Sequence, residues 1–285
     1  MSIAYGRLHW ELNQCFFRYD PVTGATTKYM EPSGMALGLH FDKNGDLLIS
    51  QDADNIGGRA VLRRNITTDV TIVVADRYQG KRFNGANDLT TDAKGRIYFS
   101  DARYAGEEPF ELPNAVYRID TDGKVTQLAT DLFRPNGIEV SPDGKRLYVA
   151  AANFRRLPIN PLGPHEDRFG ITAGGVAAYD LDDNGNISNG RLIFRNDELA
   201  CDGMTMDRDG NLYITQHNGN PKEPKGVITV LDPSGKTIEQ IAAPEGVLTT
   251  NVGFGRGKEV DVLYLSAALP WRLYRIKTVR RGHYF

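Results

Sequence analysis

Asn87, Asn136 and Asp202 each stand eight residues before the glycine of a tight turn: Gly95, Gly144 and Gly210. The three stretches read GANDLTTDAKGRIY, RPNGIEVSPDGKRLY and ACDGMTMDRDGNLY. Each places a short polar residue ahead of a small apolar run, then a turn, then a second apolar run. Two looser copies flank them. Leu37 lies eight residues before Gly45 in LGLHFDKNGDLLIS, and NVGFGRGKEVDVLYLS opens at Asn251 with a longer turn. Carboxamide and carboxylate oxygens are hard donors, suited to Ca2+, Mg2+ or Mn2+ rather than to a soft metal. An Asn or Asp ahead of a strand also often caps a turn by bonding nearby amides, and for any single opener that is the commoner role. Three in one register favour a shared ligand.

The elements that must carry these residues are short strands. The openers at 37, 87, 136, 202 and 251 are spaced 50, 49, 66 and 49, and the 66 contains an insertion over roughly residues 154–174. After each second run comes a third (AVLRR, AVYRID, GVAAYD, GVITVL, RLYRI). A further turn then leads to a fourth (TIVVA, KVTQLA, RLIF, TIEQIA). Runs of four to six residues, rich in Val, Ile, Leu and Tyr and bounded by Gly, Asp, Asn and Pro, read as strands. Four antiparallel strands per unit of just under 50 residues is the pattern of a propeller blade; a β-sandwich with similar turns is the alternative. With strand A innermost, the openers ring one mouth of a central channel. The D-to-A and B-to-C loops share that face.

The expected architecture is all-β: a single domain over 1–285, a six-bladed β-propeller whose first blade lacks its inner strand. Five A, six B, six C and five D strands are counted, the first B being Gly6 to Glu11. That makes 22 where six blades need 24, and the absentees are the last D and the first A. A natural start about 20 residues longer, the length of two strands and a turn, is the expectation.

A net charge of −2 with 40% hydrophobic residues argues against a nucleic-acid or anionic-membrane surface. No apolar run reaches membrane length, and MSIAYGRLHW shows no signal peptide. The expected location is soluble and cytoplasmic by default, or periplasmic or secreted if a leader precedes the given start. Cys15 and Cys201 form no disulfide framework. No G-x-S-x-G elbow, Walker loop or H-E-x-x-H helix occurs.

KRFNGANDLTTDAKGRIYFSDARY, RPNGIEVSPDGKRLYVA and CDGMTMDRDGNLYIT resemble the SMP-30/gluconolactonase family of regucalcin-like lactonases, as do YDPVTGATTKYMEPSGMALGLHFDKNGDLL and APEGVLTTNVGFG. The resemblance implies a six-bladed propeller with one divalent cation in the channel mouth. Ca2+ is the first expectation, with Mg2+, Mn2+ or Zn2+ as alternatives. The family holds its metal by a Glu from the first inner strand, two Asn and an Asp. Carried over by motif, these are Asn87, Asn136 and Asp202, with Asn87 a ligand in some members and nearer the substrate in others. The family's N-terminal EGP-type motif has no counterpart here. Pro244 to Gly246 belongs to the approach to the sixth blade, and Glu11 falls two strand positions too late.

Arg82 resembles a family position that contacts substrate oxygen, and Asn84 either binds substrate or caps its loop. Tyr104, Asn153 and His217 face the same mouth by topology. Cys201 reads as a buried small hydrophobe. The insertion FRRLPINPLGPHEDRFG is a wall or lid over the mouth, with Arg155, Arg156 and Arg168 facing an anionic substrate or solvent. The implied reaction is opening of a sugar lactone, with Asp202 as ligand and general base and a small lactone or ester as the partner. Two other readings stand beside it. One is a propeller hydrolase of phosphotriesters or organophosphates; the other is a non-catalytic binding propeller, favoured by the missing Glu.

Overall fold

The computed structural model of the chain describes residues 15–52, 58–104, 109–153 and 167–284. β1 (Phe16–Tyr19) pairs with β2 (Thr26–Met30). β3 (Ala36–Phe41), β4 (Leu47–Gln51), β5 (Val61–Arg64) and β6 (Thr71–Ala75) form a four-stranded antiparallel sheet. A small hairpin follows, β7 (Arg77–Tyr78) with β8 (Lys81–Arg82). Three more four-stranded sheets come next: β9 (Ala86–Thr91) to β12 (Val125–Ala129) through β10 (Ile97–Asp101) and β11 (Ala115–Ile119); β13 (Pro135–Val140) to β16 (Ile187–Asn196) through β14 (Arg146–Ala152) and β15 (Gly174–Leu181); and β17 (Ala200–Met206) to β20 (Thr237–Ala242) through β18 (Leu212–His217) and β19 (Gly226–Leu231). β21 (Leu248–Phe254), β22 (Val262–Leu269) and β23 (Arg272–Lys277) close the series as a three-stranded sheet. In each of these five sheets the strands pair in chain order, and β3, β9, β13, β17 and β21 are innermost.

The all-β propeller arrangement agrees with the sequence, and the described residues make up fewer full sheets than the six blades expected. Among the described residues five sheets have three or four strands, not six, and β1–β2 stands as a pair. The strand expected over 6–11 and Glu11 lie outside the described residues, which therefore leave the expectation of a first blade without its inner strand undecided.

The repeated turn has a local cause. Asp42, Asp92 and Asp207 each turn a side-chain oxygen onto the amides two and four residues on, at 2.9–3.1 Å. Gly45, Gly95 and Gly210 close these turns, and Gly144 the one begun by Ser141, at φ between 68° and 85°, which only glycine adopts readily. Middle strands such as β10 and β18 are buried along their whole length, whereas the outer strand β20 is almost wholly exposed. The core therefore lies between sheets. Phe83, Phe99 and Tyr117 meet at 5.0–5.3 Å between ring centroids, in one buried cluster with Leu48 and Val61 of the preceding sheet.

The C-terminal segment was not foreseen. Gly282 bridges Asp207, the His283 amide donates to Met206 O, and Tyr284 donates its hydroxyl to Phe254 O. The Arg256 guanidinium lies 4.4 Å from the Tyr284 ring. The tail thus closes the channel at the face of the A-to-B turns, opposite the openers. Above it a cavity of about 20 Å³ is lined by His40, Asp88, Glu139, Thr205 and Tyr284 among others. Burial pushes Glu139 up to about 8 and His40 down to about 3.

Candidate functional site

Four of the five inner strands carry a β-bulge at the opener. Leu37–Gly38 oppose the single residue Ser50, Asn87–Asp88 oppose Ser100, Asn136–Gly137 oppose Ala150, and Asp202–Gly203 oppose Thr215. In β21 the irregularity falls one residue earlier, at Thr250. A bulge leaves a backbone group out of the ladder and re-aims a side chain. Hydroxyls on the neighbouring strands take up those groups. Ser50 Oγ accepts from Gly38 N at 2.6 Å, and Ser100 Oγ from Asp88 N at 3.1 Å. The same hydroxyls reach the next sheet: Ser50 donates to Asn87 O and Ser100 to Asn136 O, both at 2.5 Å, and Thr215 to Thr250 O at 2.8 Å. The backbones of Asn87 and Asn136 are therefore fixed by the sheet before them.

The inner strands sit close together at this level. A Cβ on Gly38 would lie 2.7 Å from Asp88 Oδ1, one on Gly137 would collide with the Asp202 carbonyl, and one on Gly203 with the Asn251 amide. Asn251 Nδ2 points to Asp88 Oδ2 at 3.4 Å, and its Oδ1 accepts its neighbour's amide from Val252 at 2.8 Å. The turn-capping role thus holds for Asn251, whose carboxamide is consumed.

The other three polar openers keep oxygens for a ligand. Asn87 is half-buried, and among the described residues its side chain makes no hydrogen bond. Asn136 is buried and donates Nδ2 to the Tyr104 hydroxyl at 3.1 Å, which leaves Oδ1 to accept. Asp202, its side chain 20% exposed, receives His217 Nε2 on Oδ2 at 3.1 Å. Tyr104 also donates to Arg134 O at 3.3 Å, beneath the Arg134 guanidinium. Burial drives the Tyr104 hydroxyl far above its ordinary value, and the negative charges of Asp202 and Asp52 add to it. Tyr104, Asn136, Asp202 and Asp52 therefore share one electrostatic neighbourhood. A carboxylate with two carboxamides is a donor set that fits a hard divalent cation.

The remaining expected residues lie around this group. Asn84 is fully buried, its amide donated to Leu112 O and Asn114 Oδ1, its backbone to Asp101. It shapes the loop that delivers Asn87. Asp101 holds that loop by accepting from Asn84 N and Gly85 N, and burial pushes its carboxyl up to about 6. Arg82 sits in the outer hairpin leading to the loop, with its amide on Glu111. Asn153 binds Ile171 O. Cys201 is buried, and burial pushes its thiol up to about 12. Of the insertion, Arg155 and Arg156 lie outside the described residues, and Arg168 leans on Asp131 at 3.6 Å.

Two acidic residues escaped the sequence reading. Asp88 follows Asn87 where the equivalent positions are Gly38, Gly137 and Gly203. Asp52 is buried at the end of β4, seven residues after its turn glycine, as His217 is after Gly210. Counting onward from the turn glycines, rather than back, exposes Asp52 and also the hydroxyl series, five residues on at Ser50, Ser100 and Thr215.

Residues 11–269 match the SMP-30/gluconolactonase/LRE-like region. A gluconolactonase of Zymomonas mobilis is 31% identical over 237 residues, covering 78% of this chain and 59% of that protein. The pentonolactonase XacC of Haloferax volcanii is 27% identical over 275 residues, covering 94% of this chain and 76% of the relative. The chain thus spans between 59% and 76% of the length of these relatives. The structure of a gluconolactonase from Xanthomonas campestris superposes with a TM-score of 0.71 at 22% identity, over 92% of this chain and 78% of the other, a likeness of fold.

Proposed function

Because the chain belongs to the SMP-30/gluconolactonase/LRE-like family, we propose that it is a divalent-metal-dependent hydrolase that opens sugar lactones. The observation that carries this reading is the split among the openers. Asn251 is locked into backbone and side-chain bonds, while Asn87, Asn136 and Asp202 keep acceptor oxygens at the mouth. Asn87, Asn136 and Asp202 would hold the cation, Ca2+ first. Once bound, it would supply positive charge to polarise a lactone carbonyl and acidify water. Asp202 is the base that takes the proton of the attacking water. Asn136 is aimed by Tyr104, and Arg82 would border the substrate. Asn84 acts through the loop rather than by touching the lactone.

The ring in this reading has six blades. β1–β2 forms the outer half of one: Phe16 packs with Leu39, Phe41 and Leu47 on one side, and Tyr19 lies 6.1 Å from Tyr264 on the other. The test is acid release from gluconolactone by metal-stripped protein with and without added Ca2+, for wild type and Asp202→Ala. Turnover that returns with Ca2+ in wild type and never in the variant supports the reading. Turnover indifferent to chelation and to the substitution overturns it.

A further inference from the structure

The His217 ring is bonded on both sides, and the two bonds together fix its tautomer. Gly219 donates its backbone N–H to Nδ1 at 3.1 Å, so Nδ1 carries no proton. The proton therefore sits on Nε2, which faces Asp202 Oδ2 at 3.1 Å. The Gly219 donor is itself held by its loop. Gly219 turns at φ 63°, and Asn218 Oδ1 accepts from the Asn220 and Lys225 amides at 3.2 Å while its Nδ2 donates to Glu223 O. A loop knit on Asn218 thus sets the imidazole, and the imidazole sets the carboxylate.

The inner-strand geometry shows why a side-chain clamp is placed here. The carbonyls of Asn87 and Asn136 are tied by Ser50 and Ser100 of the preceding sheets. The equivalent residue before Asp202 is Ala150, which has no hydroxyl to offer.

We propose that His217 is a positioning residue: it donates Nε2–H to Asp202 Oδ2, holds the carboxylate in one rotamer and leaves Oδ1 directed to the ligand. This rests on the metal-dependent reading for its consequence, but not for its geometry. It replaces direct substrate contact as the role of His217. In the neutral form its only ring proton is already committed to Asp202, and its other nitrogen is occupied by Gly219.

Two measurements test it separately. Long-range 1H–15N spectra of the wild-type imidazoles report the tautomer whether or not metal is bound. A protonated Nε2 with an unprotonated Nδ1 is expected, and an Nδ1–H tautomer overturns the proposal. Calorimetric titration of Ca2+ into metal-stripped protein then compares His217→Ala with His217→Gln, whose amide nitrogen reproduces an Nε2 donor. The alanine variant is expected to bind Ca2+ about 10–100-fold more weakly, as when a partner that orients a metal ligand is lost, and the glutamine variant to regain most of that loss. Wild-type affinity in His217→Ala, with a raised KM for lactone alone, overturns it in favour of substrate contact. If wild type itself takes up no divalent cation, the metal reading fails. The positioning claim is then decided by the tautomer and by whether His217→Gln retains the melting temperature that His217→Ala loses.

Discussion

Asn136 and Asp202 occupy the same register position on adjacent inner strands and are held by opposite means. The backbone of Asn136 is gripped from the preceding sheet by Ser100 at 2.5 Å, and Tyr104 receives its amide from the side. Asp202 meets Ala150 where that grip would be, and its carboxylate is clamped from its own sheet by His217. A carboxamide needs only to present an oxygen, so fixing its backbone is enough. In the proposed reading the carboxylate both binds and accepts a proton, so its two oxygens must be distinguished, and one donor on Oδ2 does that.

The largest effect should come from Gly137, whose missing Cβ makes room for the Asp202 carbonyl. Gly137→Ala forces apart the two strands being compared. Overpacking of this kind costs on the order of 1–3 kcal/mol, so a clear fall in melting temperature is expected together with loss of lactone turnover. A variant with wild-type stability would mean that the strands are not in contact at this level.

Ser100→Ala removes the grip on Asn136 and leaves the Asp88 amide without its acceptor. A buried donor so exposed costs about 1–3 kcal/mol. Chemical denaturation should show that loss, and Ca2+ affinity should fall with it. A purely structural hydroxyl would lower stability and leave affinity unchanged.

The third contrast is between Glu139 and Thr205, each three residues after its opener and both lining the enclosed channel cavity. Glu139 keeps its proton up to about 8 in the folded protein because burial disfavours the charge and Asp88 adds to the effect, whereas in the unfolded chain it ionises near 4.5. Between those values the folded state binds more protons. The contribution of Glu139 to stability is therefore complete at the acid end and is lost as pH rises through that window. Glu139→Gln should melt higher than wild type at pH 9 and close to it at pH 4. A pH-independent difference would place Glu139 in open solvent.

The smallest effect should follow from supplying what the Asp202 side lacks. Ala150→Ser offers the Gly137 bulge an acceptor and Asp202 O a donor, as Ser100 does one sheet earlier. About 0.5–1 kcal/mol of added stability is expected, read as a small rise in melting temperature. A loss would show that this junction is packed too tightly for the hydroxyl.

Much of this was legible in the spacing of turn glycines. The strands, their order and the ring of openers follow from the repeat, because a blade repeats its apolar pattern and its Asp-to-Gly turn. Asn251 separated from Asn87, Asn136 and Asp202 only in three dimensions, because its carboxamide is spent on Val252 and Asp88. The loop-holding side of Asn84 shows only in three dimensions, where Leu112 and Asn114, partners 28 and 30 residues away, accept from its Nδ2. The tail at Gly282–Tyr284 closes the channel through bonds to Met206 and Phe254 that no local pattern encodes. The bulges were hidden for a different reason: two residues opposing one is a relation between strands, not a property of either.

The most direct test is anomalous diffraction from crystals soaked in Mn2+, which takes the same oxygen donors as Ca2+ and scatters anomalously. A single peak within bonding distance of Asn136 Oδ1 and Asp202 Oδ1, on the Asn87 side of the channel, is predicted, and it should vanish in Asp202→Ala crystals. A peak elsewhere in the channel, or one that survives the substitution, would contradict the assignment of the openers as the metal site.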